Sequence, residues 1–183
     1  MVPPLSMIRF LVIDDSASER KLVRALLQTL GAEQIDEATD GESAIRLIKQ
    51  VPPGLILCDW EMEPIGGLHL ARFIRRSPAS PDKRIPLIMM TGHADRQRVV
   101  SARDAGVNEF MVKPLSPHLL QSRIAAALDS RRPFITAHDY FGPDRRRHVA
   151  AWPGPERRTL RKAPEIRTRP APVLDTPSLR YKV

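Results

Sequence analysis

At 183 residues and 42% hydrophobic content, the chain can bury one ordinary domain with something left over, and its single cysteine, Cys58, excludes an intramolecular disulfide. No apolar run approaches the ~18 residues that cross a bilayer, the N-terminus lacks the basic stretch and cleavage site of a signal peptide, and the five scattered histidines lack metal-ligand spacing; a cytoplasmic protein without zinc is expected. The net charge of +8 is confined to one end: residues 1–130 balance 16 Lys+Arg against 16 Asp+Glu, whereas residues 131–183 hold 13 against 5.

The first element is a short apolar strand, Ile8–Ile13, ending in Asp14-Asp15. Ser16 or Ser18 can cap the helix that follows, with an apolar face of Leu22, Ala25, Leu26 and Leu30 and a stop at Gly31. A weak strand at Gln34–Ala38 leads through Asp40-Gly41 into a helix carrying Ala44, Ile45, Leu47 and Ile48. Leu55–Asp59 reads as a buried strand, followed by a glycine-containing loop and a helix through Leu70, Phe73 and Ile74. Pro86–Thr91 is a fourth strand, Ala94–Ala105 a polar helix, Val107–Val112 a fifth strand and Ser116–Leu128 a last amphipathic helix. Strands alternating with helices predict an α/β fold with an open, doubly wound parallel sheet, whose functional edge lies at the carboxyl ends of its strands.

Those carboxyl ends carry a consistent chemistry. The first strand delivers Asp14 and Asp15, the third Asp59, the fourth Thr91, and the fifth ends in Lys113-Pro114. Carboxylates converging in one crevice repel one another and raise each other's pKa unless a cation neutralises them. Hard oxygen ligands open to water suit Mg²⁺. A hydroxyl and an ammonium opposite them could hold the oxygens of a transferred phosphoryl group.

On these residues, together with Phe110 three places before Lys113, the stretch 7–129 resembles the CheY-like receiver domain of two-component response regulators. The resemblance implies a five-stranded sheet of order 2-1-3-4-5, with Asp59 as the phosphoacceptor for a histidine kinase or phosphotransfer protein. It further implies Mg²⁺ held by Asp15, Asp59 and the main-chain carbonyl of Glu61, with Asp14 acting through water. Lys113 would pair with the phosphoryl oxygens, Thr91 would swing to bond them, and Phe110 would turn inward as an aromatic switch. Some positions depart from the family pattern: Glu63 stands where proline is usual, Pro64 comes one place late, Gly66 stands where aspartate is frequent, and Phe110 replaces tyrosine. Glu61 is expected either to salt-bridge Lys113 at rest or to alter attack by water on the acyl phosphate. Cys58 reads as a core residue.

The basic tail repeats itself. Tyr140-Phe141-Gly142-Pro143-Asp144-Arg145-Arg146, followed by Arg147, is answered twelve residues on by Trp152-Pro153-Gly154-Pro155-Glu156-Arg157-Arg158. Guanidinium groups match guanine O6 and N7, a carboxylate accepts from guanine N1 and N2, an aromatic plane stacks on a base, and Gly-Pro favours a turn. Two such clamps suit a ligand with two guanines and two-fold symmetry, cyclic di-GMP. The tail resembles that of the Cle proteins, CheY-like regulators of alphaproteobacteria with an arginine-rich extension that binds this nucleotide. By that resemblance the ligand is an intercalated dimer, binding orders the tail, and the liganded protein acts at the flagellar motor switch, with recruitment to the flagellated pole.

Three segments are therefore expected: a receiver over residues 7–130, a ligand-binding tail over 131–160 and a basic tail over 161–183, the last two largely disordered on their own. They lack the apolar faces of a DNA-binding output domain, and no turnover enzyme is expected. The competing reading is a phosphorelay shuttle whose basic tail binds nucleic acid or membrane without specificity.

Overall fold

The computed structural model describes residues 3–93, 95–129, 133–137 and 140–144. Alternation of short apolar strands with helices gives β1 (Arg9–Ile13), α1 (Ala17–Thr29), β2 (Gln34–Ala38), α2 (Gly41–Gln50), β3 (Leu55–Asp59), α3 (Gly67–Arg76), β4 (Leu87–Thr91), α4 (Arg96–Asp104), β5 (Glu109–Val112) and α5 (Pro117–Leu128). The strands form one parallel sheet in the order β2-β1-β3-β4-β5, the order that the resemblance to receiver domains implies.

Every residue of β3 and β4 is buried because helices cover both faces of the sheet. The two-residue period of a strand then sorts side chains into two cores. Leu11, Ile13, Ile56, Cys58, Leu87 and Met89 face Ala44 and Ile48 of α2, Leu70 and Ile74 of α3, and Ala102 of α4. Phe10, Val12, Leu55, Leu57, Ile88 and Met90 face Val23 and Leu27 of α1 and Leu120 and Ile124 of α5.

Caps fix where the helices start. Ser16, Asp95 and Ser116 each accept a bond from the amide three residues on, Asp40 and Ser43 form a reciprocal capping box, and Pro117 opens α5. Gly31, at φ 91°, ends α1 as expected. The face of α1 is a correction: Leu22 and Ala25 are exposed, while Val23 and Leu27 are buried. The helix carries two overlapping apolar stripes about 100° apart, and the sheet takes the one that runs through Val23, Leu27 and Leu30.

The described part of the charged tail is structured. Phe134–Ala137 (β6) and Tyr140–Pro143 (β7) pair antiparallel, Phe134 opposite Pro143 and Ala137 opposite Tyr140. Gly142-Pro143, expected as a turn, therefore lies in a strand. Its proline tolerates that place because a strand of a two-stranded ribbon leaves one edge without a partner. The hairpin packs on α3 and on Gly106, within one compact unit over Met1–Arg147.

Backbone lies on backbone at that contact. Gly106 has φ 84°, and a Cβ there would lie 2.7 Å from the Phe141 carbonyl oxygen. A Cβ on Gly142 would lie 2.8 Å from the Gly106 Cα. Beside them Arg75, 1% exposed, donates from Nε to the Gly106 carbonyl at 2.9 Å, from Nη1 to the Lys83 carbonyl at 2.9 Å, and from Nη2 to Asn108 Oδ1 at 2.8 Å. The Phe134 ring centroid is 5.3 Å from its guanidinium carbon. Burial lowers the Arg75 pKa to about 10.

Candidate functional site

Strand register sets the site. Ile13 pairs with Cys58 and Asp59 with Met90, so Asp14 and Asp59 leave adjacent strands side by side. Thr91 pairs with Val112, and the Lys113 amide donates to the Thr91 carbonyl at 2.8 Å. From there the Lys113 side chain reaches back across the crevice. Its Nζ lies 2.8 Å from Asp14 Oδ2 and 2.8 Å from Asp59 Oδ1.

The other carboxylate oxygens are also engaged. Asp14 Oδ1 accepts from the Ser16 amide at 2.9 Å, and Asp59 Oδ2 accepts from the Glu61 amide at 2.7 Å. Both carboxylates are buried, so two negative charges share one ammonium in a poorly solvated crevice. Burial raises the Asp59 pKa above the ordinary carboxylate range, and the bonds from Lys113 and Glu61 offset only part of that. Burial alone would lower the Lys113 pKa, but its bonds to Asp14 and Asp59 outweigh it and hold the amine firmly protonated. The buried Cys58 thiol is pushed up by burial and by the charges of Asp59 and Asp14, so it is chemically quiet.

Asp15 is exposed, and among the described residues no three Asp, Glu, His or Cys side chains are gathered as a metal-binding group. The donor chemistry nonetheless fits a hard divalent cation. Two buried carboxylates face one ammonium, and Asp59 retains an uncompensated burial cost that added positive charge would relieve.

Glu61 departs from its expected pairing with Lys113. Its carboxylate binds Arg98 of α4 at 2.6 Å, which lowers its pKa. Arg98 also donates to the Thr91 hydroxyl at 3.1 Å, and its guanidinium carbon lies 5.4 Å from the Trp60 ring centroid. Phe110, half buried, meets Trp60 edge-on at 6.4 Å between centroids. Arg98 is not among the residues that the sequence singles out. Its only signal is its place three residues after Asp95, in the first turn of α4, which lies against this edge of the sheet.

In the tail, Tyr140 is 8% exposed and its hydroxyl donates to the Pro143 carbonyl at 2.7 Å. Gly142 and Pro143 are buried, and Phe141 and Asp144 half buried. An open concavity of about 370 Å³ beside the hairpin is lined by Arg75, Arg76, Lys83, Thr136, Tyr140 and Phe141, among others. Arg145, Arg146, Arg147, Trp152, Gly154, Pro155, Glu156, Arg157 and Arg158 lie outside the described residues.

A parallel 2-1-3-4-5 sheet with a lysine-bridged acidic crevice at its carboxyl edge defines the flavodoxin- and CheY-like class. Residues 10–125 match the response regulator receiver domain, and the chain belongs to that family. Chemotaxis protein CheY1 of Helicobacter pylori is 34% identical over 121 residues, 66% of this chain and 96% of that protein. Chemotaxis protein CheY-3 of Vibrio cholerae is 32% identical over 116 residues, 63% of this chain and 88% of that protein. Among solved structures, Vibrio cholerae chemotaxis protein CheY4 superposes with a TM-score of 0.61 at 25% identity, over 67% of this chain and 99% of that one. The signal receiver domain of a signal transduction histidine kinase from Syntrophus aciditrophicus does so with a TM-score of 0.60 at 26% identity, over 72% and 98%. Receiver domains of this family serve two-component signalling and typically use Mg²⁺ at the phosphorylation site.

Proposed function

We propose that this chain is a phosphorylation-controlled regulator whose tail binds cyclic di-GMP and whose receiver surface acts on a partner at the flagellar motor. The bridging of Asp59 and Asp14 by Lys113, at 2.8 Å to each, carries the phosphoryl part of this reading. An Asp59 carboxylate oxygen forms a bond to phosphorus as the P–N bond of a kinase or phosphotransfer phosphohistidine breaks, and the departing imidazole takes up a proton. Lys113 is then positioned to pair with a phosphoryl oxygen and the Thr91 hydroxyl to donate to another, while Phe110 answers the movement of Thr91. Asp14, Asp15, Asp59 and the main-chain carbonyl of Glu61 would hold Mg²⁺, which when bound supplies positive charge to the phosphoryl oxygens. The matched CheY proteins of Vibrio and Helicobacter are chemotaxis proteins, which supports a motor-directed output.

The duplicated order of aromatic, Gly-Pro, carboxylate and paired arginines supports cyclic di-GMP as the tail's ligand. Charge-driven nucleic-acid or membrane binding requires neither that order nor the carboxylates. In the described arrangement the Tyr140 ring is packed inward, so stacking it on a base requires the hairpin to leave Gly106. The expected division is a receiver over 7–130, a ligand-binding tail over 131–160 and a basic remainder.

Phosphorylation by acetyl phosphate that is abolished in Asp59→Asn tests the receiver, and an unchanged signal in the variant overturns the assignment. Calorimetry with cyclic di-GMP tests the tail. Micromolar or tighter binding that survives moderate salt and is lost in Arg145→Ala or Arg157→Ala is expected. Steeply salt-dependent binding to any oligonucleotide instead would replace this reading with the non-specific one.

A further inference from the structure

Arg98 touches several parts of the site at once. Its Nη1 donates to Thr91 Oγ1 at 3.1 Å, its Nη2 to Glu61 Oε1 at 2.6 Å, and its Nε lies 3.4 Å from Asp95 Oδ2. Its guanidinium also stands over the Trp60 ring. One side chain on the first turn of α4 thus ties together the loop after β3, the end of β4 and its own helix. Thr91 is buried, and its hydroxyl oxygen also accepts from the His93 amide at 3.2 Å. Two donors fill the two acceptor sites of that oxygen, which fixes the hydroxyl in place.

We propose that Arg98 is a positioning residue for the phosphoryl chemistry. It holds Thr91 in the unphosphorylated arrangement and is released from it when a phosphoryl group on Asp59 takes the Thr91 hydroxyl. The inference rests on the phosphoacceptor reading given above. A dianionic group on Asp59, on the strand beside Thr91, draws the Thr91 hydroxyl toward it as a donor. The same oxygen can donate and accept at once, so the bond from Arg98 is lost because the oxygen moves away from α4 toward Asp59. Glu61 is the counter-charge that keeps Arg98 poised beside the crevice rather than in it. Because Arg98 belongs to α4, its release is felt at once by that helix and by Trp60, which packs against Phe110. A charge-assisted bond present only in the resting state opposes phosphorylation by its own strength.

The test uses the full chain with Trp152→Phe as background, so that Trp60 is the sole tryptophan. Beryllofluoride with Mg²⁺, a phosphoryl mimic, is titrated against Trp60 fluorescence. Arg98→Ala is expected to lower the half-saturating concentration about tenfold, the factor set by one charge-assisted hydrogen bond. Arg98→Lys, which keeps a charge for Glu61 but lacks the fork that reaches Thr91 and Glu61 from separate nitrogens, is expected to give a smaller shift in the same direction. In a Thr91→Val background the Arg98→Ala shift should vanish, because the two residues act through one bond. An Arg98→Ala midpoint within twofold of the parent, or an equal shift in the Thr91→Val background, overturns the proposal. A parent that gives no saturable response, as Asp59→Asn should give none, overturns the phosphoacceptor reading and the inference with it.

Discussion

Lys113 is bonded at equal distance to Asp59 and Asp14, with Nζ 2.8 Å from an oxygen of each. A single ammonium thus does the neutralising for two buried carboxylates on adjacent strands. Lys113→Ala removes it and leaves both charges unpaired, which should cost about 3 kcal/mol at neutral pH. A denaturant midpoint unchanged in the variant would contradict this view of the crevice. The loss should shrink in acid, where Asp59, its pKa raised by burial, is protonated.

Asp59→Asn should stabilise the receiver at neutral pH. A carboxyl whose pKa is raised by folding binds protons more readily in the native state than in the unfolded chain, so its contribution to stability falls as pH rises through that interval. Removing the charge removes the penalty, worth a few degrees in melting temperature. The gain should fade as pH drops below the ordinary carboxylate range, because Asp59 is then protonated in both states. Thermal melts of the two proteins between pH 3 and 8 would show the curves converging in acid.

Arg75 is the joint between receiver and hairpin, with three donors on Gly106, Lys83 and Asn108 and the Phe134 ring beside it. Arg75→Ala takes its donors from the Gly106 and Lys83 carbonyls, while Asn108 Oδ1 keeps the Leu87 amide, and should cost about 3 kcal/mol. Amide exchange across Phe134–Pro143 should accelerate more than across β3. Equal protection of the hairpin in both proteins would show that Arg75 does not hold it.

Gly106→Ala should release the hairpin with less damage to the receiver. The new Cβ meets the Phe141 carbonyl oxygen at 2.7 Å and Arg75 Cγ at 2.9 Å, and its positive φ alone costs the receiver about 1–2 kcal/mol. If Tyr140 must leave its packed position before it can stack on a base, this variant should bind cyclic di-GMP more tightly than the parent. Weaker binding would mean that the docked hairpin is the binding form.

Strand positions and the meeting of Asp14, Asp59, Thr91 and Lys113 at one sheet edge could be read from the sequence because each rests on a local rule, whereas the sheet order came only with the resemblance to receiver domains. Short apolar runs ended by a functional residue fix the strands, and parallel crossovers bring their ends to one edge. The face of α1 was less legible, since Leu22 and Val23 belong to overlapping stripes and only packing decides between them. The role of Arg98 was hidden because long side chains on a polar helix look alike until a neighbour such as Trp60 claims one. The hairpin at Phe134–Pro143 was concealed by composition: proline, glycine and charge around it suggest an open chain, and its support comes from Arg75 and Gly106, far away in sequence.

The hairpin's seat has a consequence for β5. Gly106 lies just before this four-residue strand and is pinned beneath Phe141 and Gly142, while Lys113, just after it, is pinned between two carboxylates. Loops ordinarily absorb small displacements of the elements they join, but here neither end has slack. If a ligand lifts the tail and a phosphoryl group engages the lysine, the two events act on opposite ends of the same short strand.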